Sequence, residues 1–154
     1  KVVVVSPDVG GTARARNFAG YLDKPIAIID KYRSSETSVE IMHIVGNVKN
    51  RTAIIVDDMI DTAGSIIKGS QALMEAGAKE VFVCATHPIF ANPARERLEK
   101  QWQERLFQEI VVTNTIPVPP EKQLPCIKVL SVSKLFAEAI KRIHFNQSIS
   151  ALFR

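Results

Sequence analysis

Residues 53–68 constrain the fold more than any other part of this 154-residue chain. They begin with the apolar run 53–56, which is typical of a buried β-strand, and pass through an acidic stretch into residues with helical spacing. A buried strand that leads through a short loop into a helix predicts an α/β domain. Because ligands of such domains bind at the carboxyl ends of the strands, we expect the chemistry in the loop 57–65.

The helix predicted after this loop begins without an acidic residue, at positions 65–68. A helix start has unpaired N–H groups and the positive end of the helix dipole, so an uncapped start favours an external anion such as phosphate. The residues around this start offer hydroxyl groups and bare backbone to such an anion: Thr62, Ala63, Gly64 and Ser65.

Three carboxylates, Asp57, Asp58 and Asp61, would repel a phosphate by several kcal/mol if nothing lay between them. The hydroxyls of a sugar or a divalent cation would each resolve this conflict. A sugar phosphate satisfies the whole loop, with hydroxyls on Asp57 and Asp58 and phosphate at the helix start. The competing interpretation is that the acids only form turns and caps. No G-x-x-x-x-G-K-[ST] sequence occurs, which excludes the common nucleotide loop.

Residues 56–65 resemble the ribose-phosphate loop of type I phosphoribosyltransferases. Almost the whole chain also resembles the carboxyl-terminal half of the ribose-phosphate pyrophosphokinase family, through five further segments: SPDVGG at 6–11, DKYR at 30–33, ATH at 85–87, VTNTIP at 112–117 and SISALF at 148–153. The resemblance implies an α/β fold with a mainly parallel sheet flanked by helices. It also implies transfer of the β,γ-diphosphoryl group of Mg-ATP to ribose 5-phosphate, which gives phosphoribosyl pyrophosphate and AMP.

The resemblance further implies roles for particular residues. Lys31 and Arg33 would be catalytic, and Asp8 would help to hold Mg²⁺ on the ATP. From the residues alone, Asp8 beside a double glycine could bind a metal or simply form a turn. A rim formed by Ser148, Ser150 and Phe153 would serve an effector or a subunit interface. Ribose 5-phosphate would be bound by Arg33, Asp57, Asp58, Asp61, Thr62, Ala63, Gly64 and Ser65.

Residues 31–38 follow a predicted buried strand at 26–30, are polar and lack periodicity, so we expect a mobile loop. Without the resemblance, Lys31 and Arg33 would be interpreted as solvated charges. The resemblance makes this segment a catalytic loop that closes over the triphosphate. Closure would exclude water and place cations where negative charge gathers during diphosphoryl transfer.

Composition limits the classes of partner. The net charge of +4 mildly favours anionic ligands, but the basic residues are scattered and have no aromatic stacking platform, which argues against nucleic acid. No apolar run approaches the roughly 18 residues of a membrane span, so we expect no membrane association and a cytoplasmic protein. Cys84 and Cys126 lack metal-ligand spacing and are expected to be small apolar fillers.

The chain has the length of one domain, and we expect a single phosphoribosyltransferase-like domain over 1–154. Because Lys1 leads directly into a core strand at 2–5 and no initiator Met is present, we expect the carboxyl-terminal domain of a longer chain. The resemblance adds a missing amino-terminal half and a homo-oligomer. Further along, we expect Asn92 to cap a helix with Pro93 at its first position, and a last helix from Ser131 or Ser133.

Two other functions fit parts of this pattern. A salvage phosphoribosyltransferase would share the sugar-phosphate loop, but it would need a nucleobase pocket, for which we find no distinct motif. A non-catalytic regulatory subunit of a synthetase assembly would keep the fold without the chemistry, and it would not need Lys31, Arg33 or the three loop acids. His87 lies at a predicted strand end and could face the site, whereas His43 needs no function.

Overall fold

The computed structural model describes residues 1–33 and 40–153. Within these residues, seven strands form one sheet in the order β3-β2-β1-β4-β5-β6-β7. The strands are β1 (Val2–Ser6), β2 (Ile26–Arg33), β3 (Glu40–Val45), β4 (Thr52–Ile60), β5 (Glu80–Pro88), β6 (Glu109–Thr113) and β7 (Ile127–Leu130). The helices are α1 (Thr12–Leu22), α2 (Gly64–Glu75), α3 (Ala94–Gln103) and α4 (Ser133–His144), with short 3₁₀ turns at Pro120–Lys122 and Ser150–Phe153.

All neighbouring strands are parallel except β2 and β3, which form an antiparallel pair. This confirms the expected α/β fold with a mainly parallel sheet. Because β1 lies between β2 and β4 and is parallel to both, the carboxyl ends of these three strands meet at one edge of the sheet. The segments that follow β1 and β4, together with the end of β2, are therefore brought to the same edge.

Helices cover both faces of the sheet, which explains why the central strands are apolar along their length. On one face α2 and α3 pack over the larger core, which includes Ile29, Ile55, Leu73 and Leu98. On the other face α1 packs over a smaller cluster: Val4, Ala15, Ala19 and Val56. Phe107 is buried and Trp102 packs against the larger core.

Two strands continue further than the sequence pattern predicts. β4 does not end at residue 56 but runs to Ile60, since residues 57–60 pair with β5. β2 does not end at Asp30 but runs to Arg33, because its last residues pair with β3. Ladder hydrogen bonds to a neighbouring strand therefore keep polar residues extended where the sequence predicts loops. The remaining turn after β4 is only residues 61–63.

The start of α3 also differs from the expectation. The helix begins at Ala94, and Pro93 occupies the cap position without a side-chain hydrogen bond, so Asn92 is not the cap. The last helix begins at Ser133, which is one of the two expected positions. Among residues 1–33 and 40–153, none of the helices has the length and apolar character needed to cross a bilayer.

The apolar stripe of α4 is exposed. Leu135, Phe136, Ile140 and Ile143 are 44%, 57%, 65% and 61% accessible, and no residue of this helix is buried. We call these four side chains the α4 face. An amphipathic helix normally covers such a stripe against a core. No described part of the chain covers the α4 face.

One buried side chain of α2 gives a stability prediction. The hydroxyl of Ser70 is fully buried and, among the described residues, has no hydrogen-bond partner. Because an unpaired buried hydroxyl keeps its desolvation cost, Ser70→Ala should raise the free energy of unfolding by about 1 kcal/mol. The denaturant midpoint at unchanged m-value measures this change. Ser6→Ala is the matched control: the buried Ser6 hydroxyl donates to the Asp8 carbonyl at 2.7 Å, so its loss should destabilise. A less stable Ser70→Ala would contradict the assignment.

Candidate functional site

A cavity of about 290 Å³ lies where β4 leads into α2, and it is lined by Asp8 and residues 57–66. The loop after β1 thus meets the acidic end of β4 and the start of α2 in one cavity. Its size is near the lower end of ligand pockets, roughly 300 Å³, and is appropriate for a small polar molecule. A larger cavity of about 760 Å³ between β3 and α2 includes Met42, Lys68 and Glu75. We place the site in the smaller cavity because it contains a helix start and strand ends.

The start of α2 is open to a ligand. No side chain caps it, and its first turn has no acidic residue, as expected. Ala63, at the cap position, has a φ of 63°, a left-handed conformation that is uncommon for a residue with a Cβ. Such backbone strain costs of order 1–3 kcal/mol and is kept mainly at functional sites. The N–H groups of this turn are therefore available for an anion.

Gly64 is the first residue of α2, and the fold itself does not require glycine there. A Cβ at this position would lie 3.8 Å from the nearest atoms, Arg97 Nη1 and Thr62 Oγ1, which is ordinary van der Waals contact. Arg97 Nη1 also donates a hydrogen bond to the Thr62 carbonyl at 3.3 Å. A cation from α3 therefore stands beside the proposed phosphate position, and Gly64 leaves the backbone there accessible.

Two of the loop acids share one arginine. Arg14 Nη1 lies 3.0 Å from Asp57 Oδ1, and Arg14 Nη2 lies 3.0 Å from Asp58 Oδ2. Asp57 Oδ1 also accepts a hydrogen bond from the Asp58 N–H at 2.8 Å. The repulsion expected from consecutive carboxylates is thus offset by the protein itself. Asp61 is exposed on the turn that follows.

The two adjacent acids titrate differently. Burial raises the pKa of Asp57 above its ordinary value of 3.8, and the Asp58 charge adds to this effect, while the Asp58 N–H and Arg14 oppose it. For Asp58, the hydrogen bond shared with Asp57 and the Arg14 charge outweigh the effect of burial, so its pKa is lowered. Asp58 therefore becomes charged first as the pH rises, and Asp57 follows.

Asp8 is held in place by its own turn. Its Oδ1 accepts a hydrogen bond from the Gly11 N–H at 2.7 Å, while the rest of the side chain is exposed. Among the described residues, no group of three or more His, Cys, Asp or Glu side chains could hold a metal ion. Magnesium, however, is usually held by one or two carboxylates together with waters and substrate phosphates. Asp8 fits such a shared site, whereas Asp57 and Asp58 already contact Arg14.

Lys31 and Arg33 lie in β2 rather than in a loop. Lys31 is half-buried and pairs with Met42 of β3, and Arg33 is the last residue of β2. Residues 34–38, the rest of the expected catalytic loop, lie outside the described residues. The catalytic role of both basic residues and the closure of this segment stay predictions.

His87 and the carboxyl-terminal tail have clear local partners. His87 Nδ1 lies 2.9 Å from Thr115 Oγ1, so its ring is hydrogen-bonded to the segment after β6. In the tail, the Ser148 hydroxyl accepts from the Ser150 N–H at 3.2 Å. The Phe153 carbonyl accepts a hydrogen bond from the Tyr21 hydroxyl of α1 at 3.4 Å, and its ring is exposed. The tail does not line the 290 Å³ cavity.

Residues 38–154 match the family model described as the phosphoribosyl synthetase-associated domain. The chain belongs to the phosphoribosyl synthetase-associated domain family. It is 53% identical to the ribose-phosphate pyrophosphokinase of Gloeobacter violaceus over 154 residues, which cover 99% of this chain and 45% of that protein. The ribose-phosphate pyrophosphokinase of a Nostoc species is also 53% identical, with 99% and 46% covered.

A solved structure extends this likeness to three dimensions. The phosphoribosylpyrophosphate synthetase of Mycobacterium smegmatis is 40% identical to this family member, with a TM-score of 0.83 over 94% of this chain and 45% of that one. The chain therefore spans about half the length of the relatives it matches. APRTase from Giardia lamblia, at 16% identity and a TM-score of 0.53 over 65% of this chain and 64% of that one, shares the fold. The type I phosphoribosyltransferase-like fold is confirmed.

Two residues beside the candidate site were missed by the sequence analysis. Arg14 contacts the acids of β4 from α1, and Arg97 reaches the turn 61–63 from α3. Each lies near the start of a helix that follows a core strand, where side chains come close to the ligand edge of the sheet. That position is a usable signal, but it does not show which of several arginines will face inward.

Proposed function

We propose that this chain is the substrate-binding carboxyl-terminal domain of a ribose-phosphate diphosphokinase. The reaction transfers the β,γ-diphosphoryl group of Mg-ATP to the anomeric hydroxyl of ribose 5-phosphate, for nucleotide biosynthesis. The observation that carries this proposal is the 290 Å³ cavity, which brings Asp8 to the acids and open helix start of residues 57–66. The names of the relatives support the same reaction. Because ATP and sugar phosphates are intracellular metabolites, we also propose a cytoplasmic location.

The cavity offers complementary groups to each part of ribose 5-phosphate. The N–H groups of residues 63–65 and the hydroxyls of Thr62 and Ser65 would bind the phosphate at the positive end of α2. The carboxylates of Asp57 and Asp58 would accept hydrogen bonds from the sugar hydroxyls, since ionised carboxylates only accept. Asp61 would help to orient the turn or a hydroxyl. Arg33 would complete the site from the end of β2.

Diphosphoryl transfer needs positioning and charge neutralisation rather than a covalent intermediate. The anomeric hydroxyl of ribose 5-phosphate loses its proton to solvent, and its oxygen forms a bond to the β-phosphorus of ATP. The bond between that phosphorus and the oxygen of the α-phosphate breaks, and AMP leaves. Lys31 and Arg33 would stabilise the negative charge that gathers on the transferred group. Asp8 would hold Mg²⁺, which supplies charge neutralisation on the triphosphate when it is bound.

Blocking the helix start tests the proposed site. Gly64→Val should weaken the binding of ribose 5-phosphate at least tenfold, because the side chain would fill the space that the phosphate needs against the backbone. The open surroundings of Gly64 mean that the fold should tolerate valine. Gly20→Val in α1 is the matched control, since a Cβ there would meet nothing within 4 Å and the residue is far from the cavity. Titration calorimetry that gives equal dissociation constants for wild type and Gly64→Val would refute the site.

The proposal includes a partner. Since the relatives are about twice as long, we propose that an amino-terminal half of similar fold completes the enzyme and covers the α4 face. Large exposed apolar patches mark interaction surfaces. We further propose that the complete enzyme forms a homo-oligomer.

The tail gives a separate prediction. Ser148, Ser150 and Phe153 are exposed and lie outside the cavity, which fits a phosphate-binding rim for an effector or a subunit interface. Deletion of residues 148–154 from the full-length enzyme should change the response of activity to added ADP, or the assembly size seen by light scattering. Basal turnover should remain. Lost turnover with unchanged assembly would show that the tail serves catalysis instead.

A further inference from the structure

Arg14 contacts Asp57 and Asp58 in an arrangement that an ordinary strand does not produce. Successive residues of a β-strand point to opposite faces, yet both carboxylates lie within β4 and both meet the same guanidinium at 3.0 Å. The planar guanidinium, with donors at both ends, can hold two acceptors at once, which a point charge such as lysine cannot do equally well. The contact therefore fixes the direction of two side chains.

The backbone around Gly11 holds Arg14 close to β4. Gly11 caps α1, and a Cβ on it would lie 2.9 Å from Ser6 Oγ and 3.4 Å from both Arg14 Nη1 and Asp8 Oδ1. Since Ser6 is fully buried and hydrogen-bonded, it cannot move aside at low cost. The missing side chain of Gly11 thus allows α1 to begin directly against the strand ends. From this position, the guanidinium of Arg14 contacts Asp57 and Asp58.

The burial of Asp57 distinguishes its contact with Arg14 from a surface ion pair, whereas Asp58 is more exposed. The side chain of Asp57 is only 17% accessible, and those of Arg14 and Asp58 are 37% and 47% accessible. Partly buried like charges on neighbouring residues repel strongly, and without a cation between them they would turn apart or one would take up a proton. Either change would remove an acceptor that the sugar hydroxyls need.

We infer that Arg14 is a positioning residue for ribose 5-phosphate, which keeps the Asp57 and Asp58 carboxylates charged and on the same side of β4. This inference rests on the proposed function of the cavity. Arg14 acts through the two acids and does not itself bind the phosphate, which is received at the start of α2. Its loss therefore removes affinity only while both acids are present.

A double-mutant cycle tests this dependence, with titration calorimetry of ribose 5-phosphate as the measurement. Arg14→Gln should raise the dissociation constant at least tenfold. In an Asp58→Asn background, where the repulsion is already removed, the same change should raise it less than threefold. Arg14→Lys should raise the dissociation constant at least threefold, because one ammonium cannot contact both carboxylates in the same geometry. Arg16→Gln, an exposed arginine of the same helix, is the control and should leave affinity within twofold.

Each outcome decides the inference. Equal losses of affinity in the wild-type and Asp58→Asn backgrounds would show that Arg14 contacts the ligand directly. Unchanged affinity in Arg14→Gln would show that the contact is a solvated ion pair. Either result overturns the positioning role. If Arg14→Gln does not fold, as judged by thermal unfolding, Arg14→Lys replaces it, and wild-type affinity of that variant overturns the inference. A wild-type chain that does not bind ribose 5-phosphate overturns the proposed function as well, whereas tight wild-type binding with unaffected variants overturns only the role of Arg14.

Discussion

Replacement of Lys31 by alanine in the full-length enzyme is expected to lower kcat by at least about a hundredfold, while the KM for ribose 5-phosphate changes much less. In the proposed site, the sugar phosphate would be received by the end of β4 and the start of α2. Lys31 does not line that cavity, so ground-state binding should not depend on it. Charge on the transferred diphosphoryl group develops chiefly during the reaction. A cation placed there stabilises the transition state more than the bound substrate.

Steady-state rates of AMP formation, measured over a range of ribose 5-phosphate concentrations, separate the two parameters. Lys24→Ala is the matched control, because this exposed lysine precedes the amino end of the same strand, away from the ligand edge. Its kcat should stay within about twofold of wild type. If Lys31→Ala kept a near-normal kcat, Lys31 would be a solvated charge on β2 and its predicted catalytic role would be wrong.

The sequence pattern predicted the region of the 290 Å³ cavity more reliably than the ends of the strands and helices around it. Apolar β-branched runs predict the strands, and the acidic loop between a buried strand and an uncapped helix predicts the ligand edge. The pattern failed at residues 57–60 and 31–33, which are polar and would be expected in loops. Their extended conformation depends on pairing with β5 and β3, which local sequence does not encode.

Contacts between segments that are distant in the sequence could not be predicted either. The acids of β4 suggested that a sugar or a cation must lie between them and a phosphate, but nothing in the local sequence pointed to Arg14, forty-three residues away. Similarly, the sequence predicted the last helix, but it did not show what covers the α4 face. Periodicity reveals that a face is apolar, whereas its partner depends on the tertiary fold.

The chain on its own is expected to fold and to show negligible synthetase activity. The 290 Å³ cavity is lined by carboxylates, small residues, Met59, Ile60 and Ile66, and this particular lining has no aromatic side chain on which an adenine could stack. The relatives have about twice this length, so we expect most of the affinity for ATP to come from the proposed amino-terminal half. AMP release from ATP and ribose 5-phosphate should therefore be at background for this chain. It should become measurable when the other half is added.

Substitutions in the α4 face test whether this surface binds the other half. If the α4 face is the docking surface for the proposed amino-terminal half, the isolated chain should self-associate in light scattering, because four apolar side chains of this face are exposed. Phe136→Ser with Ile140→Ser should reduce self-association and also prevent recovery of activity. These residues are exposed, so their replacement should leave the fold intact. Lys134→Ser with Lys141→Ser, on exposed polar positions of the same helix, should change neither property. Robust turnover by the isolated chain would show that its nucleotide site is complete, and normal recovery with the double serine variant would place the interface elsewhere.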